Sequence, residues 1–439
     1  MPTLRPFLAV GLLLVLLQCL PRPAHGQSPT TARDLLQHAI ANDPALATQR
    51  ATLDAARAAE DAASAGFLPE LSLSAQRGRS HRSSADRLPW VAESNTLPAV
   101  GHTLTLSQLL YDGQRTQATV NAAQARVQQE RVRLNRRLNE RLLAMREALH
   151  NEAAAAQKLR HAQDALRDID ALNTLVRQKH AAGLVALVDV RRAESRRLDA
   201  QRNVADAQAR WHEARLTLAG ETGQPAPALA HEAFAPVAST ELDALGTACA
   251  QACPEVEEAA LRVQQAQAEL RAAEAAWHPR LSLELSRSES RNLSGSAEHY
   301  RSASAFVKLN WALYDGGLRS AQTRRLGHDI QAQENTLEET RRTVSTRWSV
   351  GRSRLQANTE LHAIALRNAT VARQARELAE QGLRAGLRSP IELADTVNEE
   401  TRALDEAASR DAERRIAQDR LLALTGLLAQ HLGLVPGEP

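Results

Sequence analysis

Glu392 and Asp395 stand three residues apart in a stretch of helical period, which places both carboxylates on one helix face. Such a pair can draw cations towards an opening. As ordinary surface charges capping a helix it would do nothing of the kind, and the spacing alone leaves both readings open. The pair closes the stretch RAGLRSPIELAD (384–395), whose Gly386 aligns with Gly183 of AAGLVALVDV (181–190). Each glycine is expected to end a long helix in the C-cap manner, with Asp189 near the start of the helix that follows. Enzyme chemistry finds no footing. The chain has no phosphate-cradling glycine loop, no motif-placed Ser/His/Asp arrangement and no metal-ligand spacing. Its 14 histidines are scattered. Beyond Cys19 the cysteines are Cys249 and Cys253, four apart, which is not a zinc framework; a local bridge and two inert thiols both remain open. No cofactor is expected.

The elements that carry these residues are long helices. Ala, Leu, Arg, Gln and Glu dominate, aromatic residues make up 3%, and the formal charge is only +3 over 439 residues. Arginine and glutamate are interspersed, so no nucleic-acid surface is expected. Residues 1–26 read as a secretory signal, with Arg5 before the apolar run Phe7 to Leu20 and small residues at Ala24-His25-Gly26. Cleavage before Gln27 is favoured over lipidation of Cys19, because Gln18 is bulky where a lipoprotein signal needs a small residue.

AFVKLNWALYDGG (305–317) organises the rest. Ala305, Val307, Leu309, Trp311 and Leu313 alternate with Phe306, Lys308, Asn310, Ala312 and Tyr314, a strand pattern that stops at Asp315-Gly316-Gly317 and gives way to a helical period. GHTLTLSQLLYDGQ (101–114) repeats the device: aligning Tyr111 with Tyr314 brings Leu106 onto Leu309 and Leu110 onto Leu313. Pro44 and Pro69 match Pro254 and Pro279 at one common offset. The chain is therefore a tandem duplication.

The first repeat, 27–219, holds a helix begun at Asn42-Asp43-Pro44, a hairpin over 68–112, a long helix over 113–181 and a return helix over 189–219. Leu138, Leu142, Met145, Leu149, Ala156, Leu159, Leu166 and Ile169 form a seam on the long helix. A linker covers 220–250. The second repeat, 251–426, holds a hairpin over 280–315, a long helix over 317–384 and a return helix over 390–424; the tail is 427–439. Within the hairpins, residues about 78 to 100 and 287 to 302 read as solvated loops.

Strands of about ten residues have membrane-spanning length. Their apolar faces find no second layer in this chain, and an open sheet edge cannot sit in lipid. Several chains must share one barrel; three give twelve strands. Phe67, Tyr111, Trp277 and Tyr314 fall at the strand–helix junctions, where aromatic side chains would mark a membrane interface or, alternatively, fill a core. Ser72, Ser74, Thr103, Thr105, Lys308 and Asn310 supply a polar face for a lumen.

The duplicated order NDPAL, helix, LPELSLS, LYDGG resembles the TolC family of outer-membrane channels over nearly all of the mature chain. The resemblance implies a mainly α fold with β: a homotrimer with a twelve-stranded β-barrel in outer-membrane lipid, continued by an α-helical barrel of coiled-coil helices across the periplasm. It implies that the breaks at Gly183 and Gly386 form the periplasmic tip, that Arg388 reaches Asp189 to lock it, and that Glu392 and Asp395 line the entrance. Threefold symmetry would make these an acidic ring favouring cations. Leu383 stands where the family carries a tyrosine and Val188 where it carries a hydroxyl residue, so the lock should be weaker here. The expected partners are a periplasmic adaptor (membrane fusion) protein and an inner-membrane ABC or proton-driven transporter. Type I secretion of a polypeptide is the leading expectation and multidrug or solute efflux the alternative. A soluble periplasmic helical-hairpin adaptor is a third reading, which four lipid-length strands disfavour.

Overall fold

The computed structural model describes residues 31–83, 94–224, 246, 253–294 and 297–434. The signal segment, most of the linker, Cys249 and the last five residues of the tail lie outside these. Helix α1 (Ala32–Ala41) precedes α2 (Pro44–Ser64); β1 (Glu70–Ser83) and β2 (Ser94–Tyr111) form a hairpin; α3 (Arg115–Ala181) runs away from it and α4 (Leu187–Thr222) returns. The second half repeats this order as α5 (Pro254–Glu274), β3 (Arg280–Arg291), β4 (His299–Asn310), α6 (Leu318–Arg384) and α7 (Pro390–Thr425), closed by the short α8 (Leu428–His431). The repeat extends to length: α2 and α5 have 21 residues each, α3 and α6 have 67, α4 and α7 have 36. Both halves therefore reach the same two ends of the molecule. At 1.5 Å per residue each long helix spans ~100 Å.

Local chemistry sets the helix starts. Asp43 caps α2 by accepting from the Ala45 and Leu46 amides at 2.8 and 3.1 Å, with Pro44 at the first helical position. Arg141 of α3 donates to the same carboxylate at 2.7 Å. Burial pushes this carboxyl up, but Arg141 and the two amides outweigh it and hold it below the usual range. Along the seam of α3, Leu138, Leu142, Met145, Leu149 and Ile169 are buried, while Ala156, Leu159 and Leu166 are half-buried.

The largest core lies near the middle of the long helices. Leu138, Leu142 and Met145 of α3 meet Leu36 and Ile40 of α1, Leu46 of α2, Leu355 of α6 and Leu421 and Leu422 of α7. The tail belongs to it: Leu428, Ala429, Leu432 and Leu434 are buried there. Its apolar spacing, four positions in seven residues, had held that signal. Beside this core, Arg146 and His150 of α3 close on Asp419 of α7. Cys253 is disulfide-bonded and buried against Val256 and Val344.

The strands form one antiparallel sheet in the order β1-β2-β3-β4. They are longer than the alternation of apolar residues suggested, at 14, 18, 12 and 12 residues. Most of the two expected loops is strand. The backbone ladder continues there beneath polar side chains, and Ser286 with Ser304 and Ser288 with Ser302 pair hydroxyls across it at 2.7 and 2.8 Å. At the other end β4 stops at Asn310, short of the expected Tyr314. Its partner β3 begins at Arg280 because Pro279 has no N–H to offer. Trp311 instead donates its indole N–H to the Trp277 carbonyl at 3.0 Å.

The register separates two faces. Leu71, Leu73, Leu104, Leu106, Leu283, Leu285, Val307 and Leu309 share one; Ser72, Ser74, Thr103, Thr105, Glu284 and Lys308 share the other, with Phe306 the large apolar exception. Among the described residues no second layer covers the apolar face: Leu71, Leu73, Val307 and Leu309 are each more than 60% exposed.

Candidate functional site

At the strand–helix junctions the chain reverses its period through tight polar turns. Asp112 accepts from the Thr116 amide and hydroxyl at 2.8 and 2.6 Å, and Gly113 and Gln114 follow at φ +69° and +70°. A Cβ on Gly113 would lie 2.6 Å from the His278 Cβ, so this position needs glycine twice over. In the second repeat Asp315 accepts from the Gly317 and Arg319 amides and from the Arg319 guanidinium at 2.7 Å. Burial pushes the Asp315 carboxyl up, but the Arg319 and Gly317 donors outweigh it and hold it below the usual carboxylate range. Arg319 also covers the Trp277 ring at 4.4 Å. Phe67, Tyr111, Trp277 and Tyr314 all sit at this level and are 45–88% exposed. Among the described residues they belong to no buried core.

The opposite end carries the breaks. Gly183 and Gly386 adopt φ +75° and +74°. In each, two amides close back on the helix: Gly183 and Leu184 on the His180 and Lys179 carbonyls, Gly386 and Leu387 on the Leu383 and Gly382 carbonyls, all at 2.8–3.1 Å. This is the Schellman arrangement, formed identically at both sites. The starts of the next helices differ. Ser389 caps α7 by accepting from the Glu392 amide, with Pro390 behind it, whereas Ala186 gives α4 no side-chain cap.

Asp189 and Arg388 are not brought together within one chain. Asp189 lies 4.0 Å from Arg192 of its own helix. Arg388 folds over Gly382 and pairs with Glu392 at 3.6 Å. Asp395 is bound at 2.9 Å by Arg196, which crosses from α4. Each acidic side chain expected at the entrance thus has a cation beside it in the chain itself. Arg196 was legible as a candidate, since it lies seven residues after Asp189 and so on nearly the same face. Leu383 packs on the apolar cluster of Ala165, Ile169, Ala200, Leu393 and Val397 just inside the tip. Behind the cluster, Arg376 binds Asp168 of α3 at 2.8 Å and the buried Glu400 of α7 at 3.0 Å. That link joins the two helical hairpins. Nothing in the sequence pattern separates Arg376 from the many surface arginines, so sequence reasoning missed it.

A sheet with one unpartnered apolar face, a polar opposite face and four exposed interface-type aromatics, set on helices ~100 Å long, defines an outer-membrane channel. No described helix is long and apolar enough to cross a membrane. The chain belongs to the outer membrane efflux protein family, whose profile matches residues 35–224 and 247–427. It is 28% identical over 342 residues to protein CyaE of Bordetella pertussis, covering 73% of this chain and 68% of CyaE. It is 30% identical over 189 residues to the alkaline protease secretion protein AprF of Pseudomonas aeruginosa, covering 42% of this chain and 37% of AprF. Among solved structures it resembles the open state of the MtrE outer membrane channel of Neisseria gonorrhoeae, with TM-score 0.73 and 17% identity over 90% of this chain and 88% of that one. It also resembles the outer membrane protein VceC of Vibrio cholerae, with TM-score 0.72 and 16% identity over 91% and 95%. The fold is that of the TolC-like channels: four strands per chain in a trimeric twelve-stranded barrel in the outer membrane, continued by helices into the periplasm.

Proposed function

We propose that this chain is the exit duct of a tripartite machine for type I secretion of a polypeptide. One relative, AprF, is named for secretion of a protease and supports that cargo class. Multidrug or solute efflux is the second reading, favoured by the family's description. The machine would include a periplasmic adaptor protein and an inner-membrane ABC or proton-driven transporter, which supplies the energy. Deleting the gene tests the choice. Loss of a polypeptide from the culture medium with drug tolerance unchanged supports secretion; unchanged medium with lowered tolerance moves the assignment to efflux.

The duct opens at its periplasmic tip. The observation that carries this is the matched pair of Schellman breaks, around which the ion pairs of Asp189, Asp395 and Arg388 are solvent-exposed. Exposed pairs are worth about 0–1 kcal/mol each, so a docked partner can replace them. Between neighbouring protomers Arg388 exchanges Glu392 for Asp189 and holds the closed state. An Arg388→Ala trimer should conduct more than wild type in planar bilayers; lower conductance refutes the lock. Phe67, Tyr111, Trp277 and Tyr314 anchor the periplasmic edge of the barrel in the lipid interface.

A further inference from the structure

Both faces of the sheet change character at the end remote from the helices, and they change differently. On the face of Leu71 and Leu73 the next positions along β1 are Ala75, Arg77 and Arg79. On β3, Leu281, Leu283 and Leu285 are followed by Arg287, Glu289 and Arg291. On β4, Leu309, Val307, Ala305 and Ala303 lead to Arg301. The register keeps all five arginines on the lipid-facing side without a bulge, and all five are exposed. His81, His102 and His299 share that face. The lumen face at the levels of these arginines reads Gln76, Gly78, Ser80, Gly101, Ser288, Ser290, Tyr300 and Ser302, and its next charged position, Arg82, comes only farther out on β1.

Distance argues the same way. From Leu281 to Arg287 is about 20 Å along the strand, or about 15 Å along the membrane normal at the usual barrel tilt. An apolar barrel band is typically about 25 Å tall. Counted the same way, Arg291 and its register neighbour Arg77 lie about 25 Å up, at the outer edge of the hydrocarbon, while Arg287 is rooted about 10 Å within it and snorkels outward. Arg301 is held by Glu289 at 3.1 Å, which also takes His299 at 2.8 Å. Arg77, Arg79, Arg287 and Arg291 make no ion pair among the described residues. Four exposed guanidinium groups per chain, aimed outward at the depth of headgroups, call for anions there.

We propose that the outer rim of the barrel is a binding belt for the phosphorylated sugar headgroups of outer-leaflet glycolipid, with Arg77, Arg79, Arg287 and Arg291 as its phosphate ligands. The helices leave the sheet at its other end and enter the periplasm, so this rim meets the outer leaflet. There the phosphates are normally bridged by divalent cations; the belt replaces those cations along the protein boundary. The proposal rests on the outer-membrane placement of the strands and is independent of cargo and gate.

The test is native mass spectrometry of the detergent-solubilised trimer with a metal chelator present, titrated with bisphosphorylated lipid A, dephosphorylated lipid A, phosphatidylglycerol and inorganic phosphate in turn. Wild type should bind bisphosphorylated lipid A at least about tenfold more tightly than each of the others. An arginine near an anionic surface contributes about fivefold in affinity, so with two engaged per headgroup the combined Arg77→Gln, Arg79→Gln, Arg287→Gln, Arg291→Gln variant should lose about 25-fold. The four corresponding Arg→Lys changes should keep most of the binding, which separates charge from folding. Unchanged lipid A affinity in the glutamine variant overturns the belt. So does equal binding of phosphatidylglycerol, or full competition by free phosphate. Conductance of the glutamine variant in a bilayer free of glycolipid should equal wild type, so failure of the belt leaves the duct reading standing.

Discussion

Asp419→Ala is the most informative single change. The Asp419 carboxylate is 5% exposed and accepts from Arg146 Nε at 2.9 Å and from His150 Nε2 at 3.0 Å; the Arg146 side chain is also only 5% exposed. Removing the carboxylate keeps the guanidinium buried without its counter-charge, which costs about 3–5 kcal/mol. The exposed pairs at the tip cost about 0–1 kcal/mol each when broken. At about 2 °C per kcal/mol for a chain this large, Asp419→Ala should lower the melting midpoint of the trimer by about 6–10 °C. Arg388→Ala should lower it by less than about 2 °C. The Arg146→Met, Asp419→Leu double variant replaces the pair by apolar side chains of similar volume and should recover most of the loss. The assay is trimer dissociation on heating in detergent, read on gels and by circular dichroism. If the double variant is as unstable as the sum of the singles, the two residues are not coupled and the reasoning fails. If Asp419→Ala and Arg388→Ala cost the same, the division into a fixed waist and a yielding tip is wrong.

Acid should loosen the same waist. Burial pushes the His150 imidazole below its ordinary 6.5, against the pull of Asp419, so the folded chain keeps it neutral. As pH falls through about 6.5 the unfolded chain gains a proton that folded His150 refuses, and stability drops. Asp419 acts in the same direction but lower. Burial pushes its carboxyl up, yet His150 and Arg146 hold it below the ordinary range, so its contribution stays intact until pH falls beneath that range. His150→Gln should flatten the melting profile between about pH 7 and 5; an unchanged slope removes His150 as the cause. Gly113→Ala forces a Cβ into His278 at an unfavourable φ, and should cost about 2 kcal/mol or more. Gly183→Ala meets only the backbone term, about 1–2 kcal/mol; equal melting losses would mean the His278 contact is not felt. Glu392→Ala with Asp395→Ala should lower cation preference in planar bilayers, but modestly, because Arg388 and Arg196 already neutralise part of the charge; unchanged selectivity would sever these residues from the entrance.

The duplication, the long helices, both breaks and the hinges were legible because each is local. A glycine at positive φ, a proline at a helix start and a switch from period two to helical period leave marks within a few residues. The outer half of the hairpins was not, because alternation of apolar with polar residues fades where arginine takes the place of leucine on the same face. Helical ends such as α8 and the strand end at Asn310 depended on partners far along the chain: Leu428 needs α3, and Asn310 needs Pro279. The tip residues were legible as a set but not as pairs. Asp395 finds Arg196 across two different hairpins, and no window along the sequence contains both.

Equal leg lengths in the two repeats bind the design together. Each chain stands on two hairpins of matching reach, 67 residues down and 36 back. A seven-residue insertion in one leg alone would leave the foot uneven by about 10 Å and shift its apolar seam past its neighbours. Adapting the duct to a deeper or shallower envelope therefore requires concerted changes in both halves of the gene, and a single unequal insertion should surface as a trimer that assembles its barrel on an uneven foot.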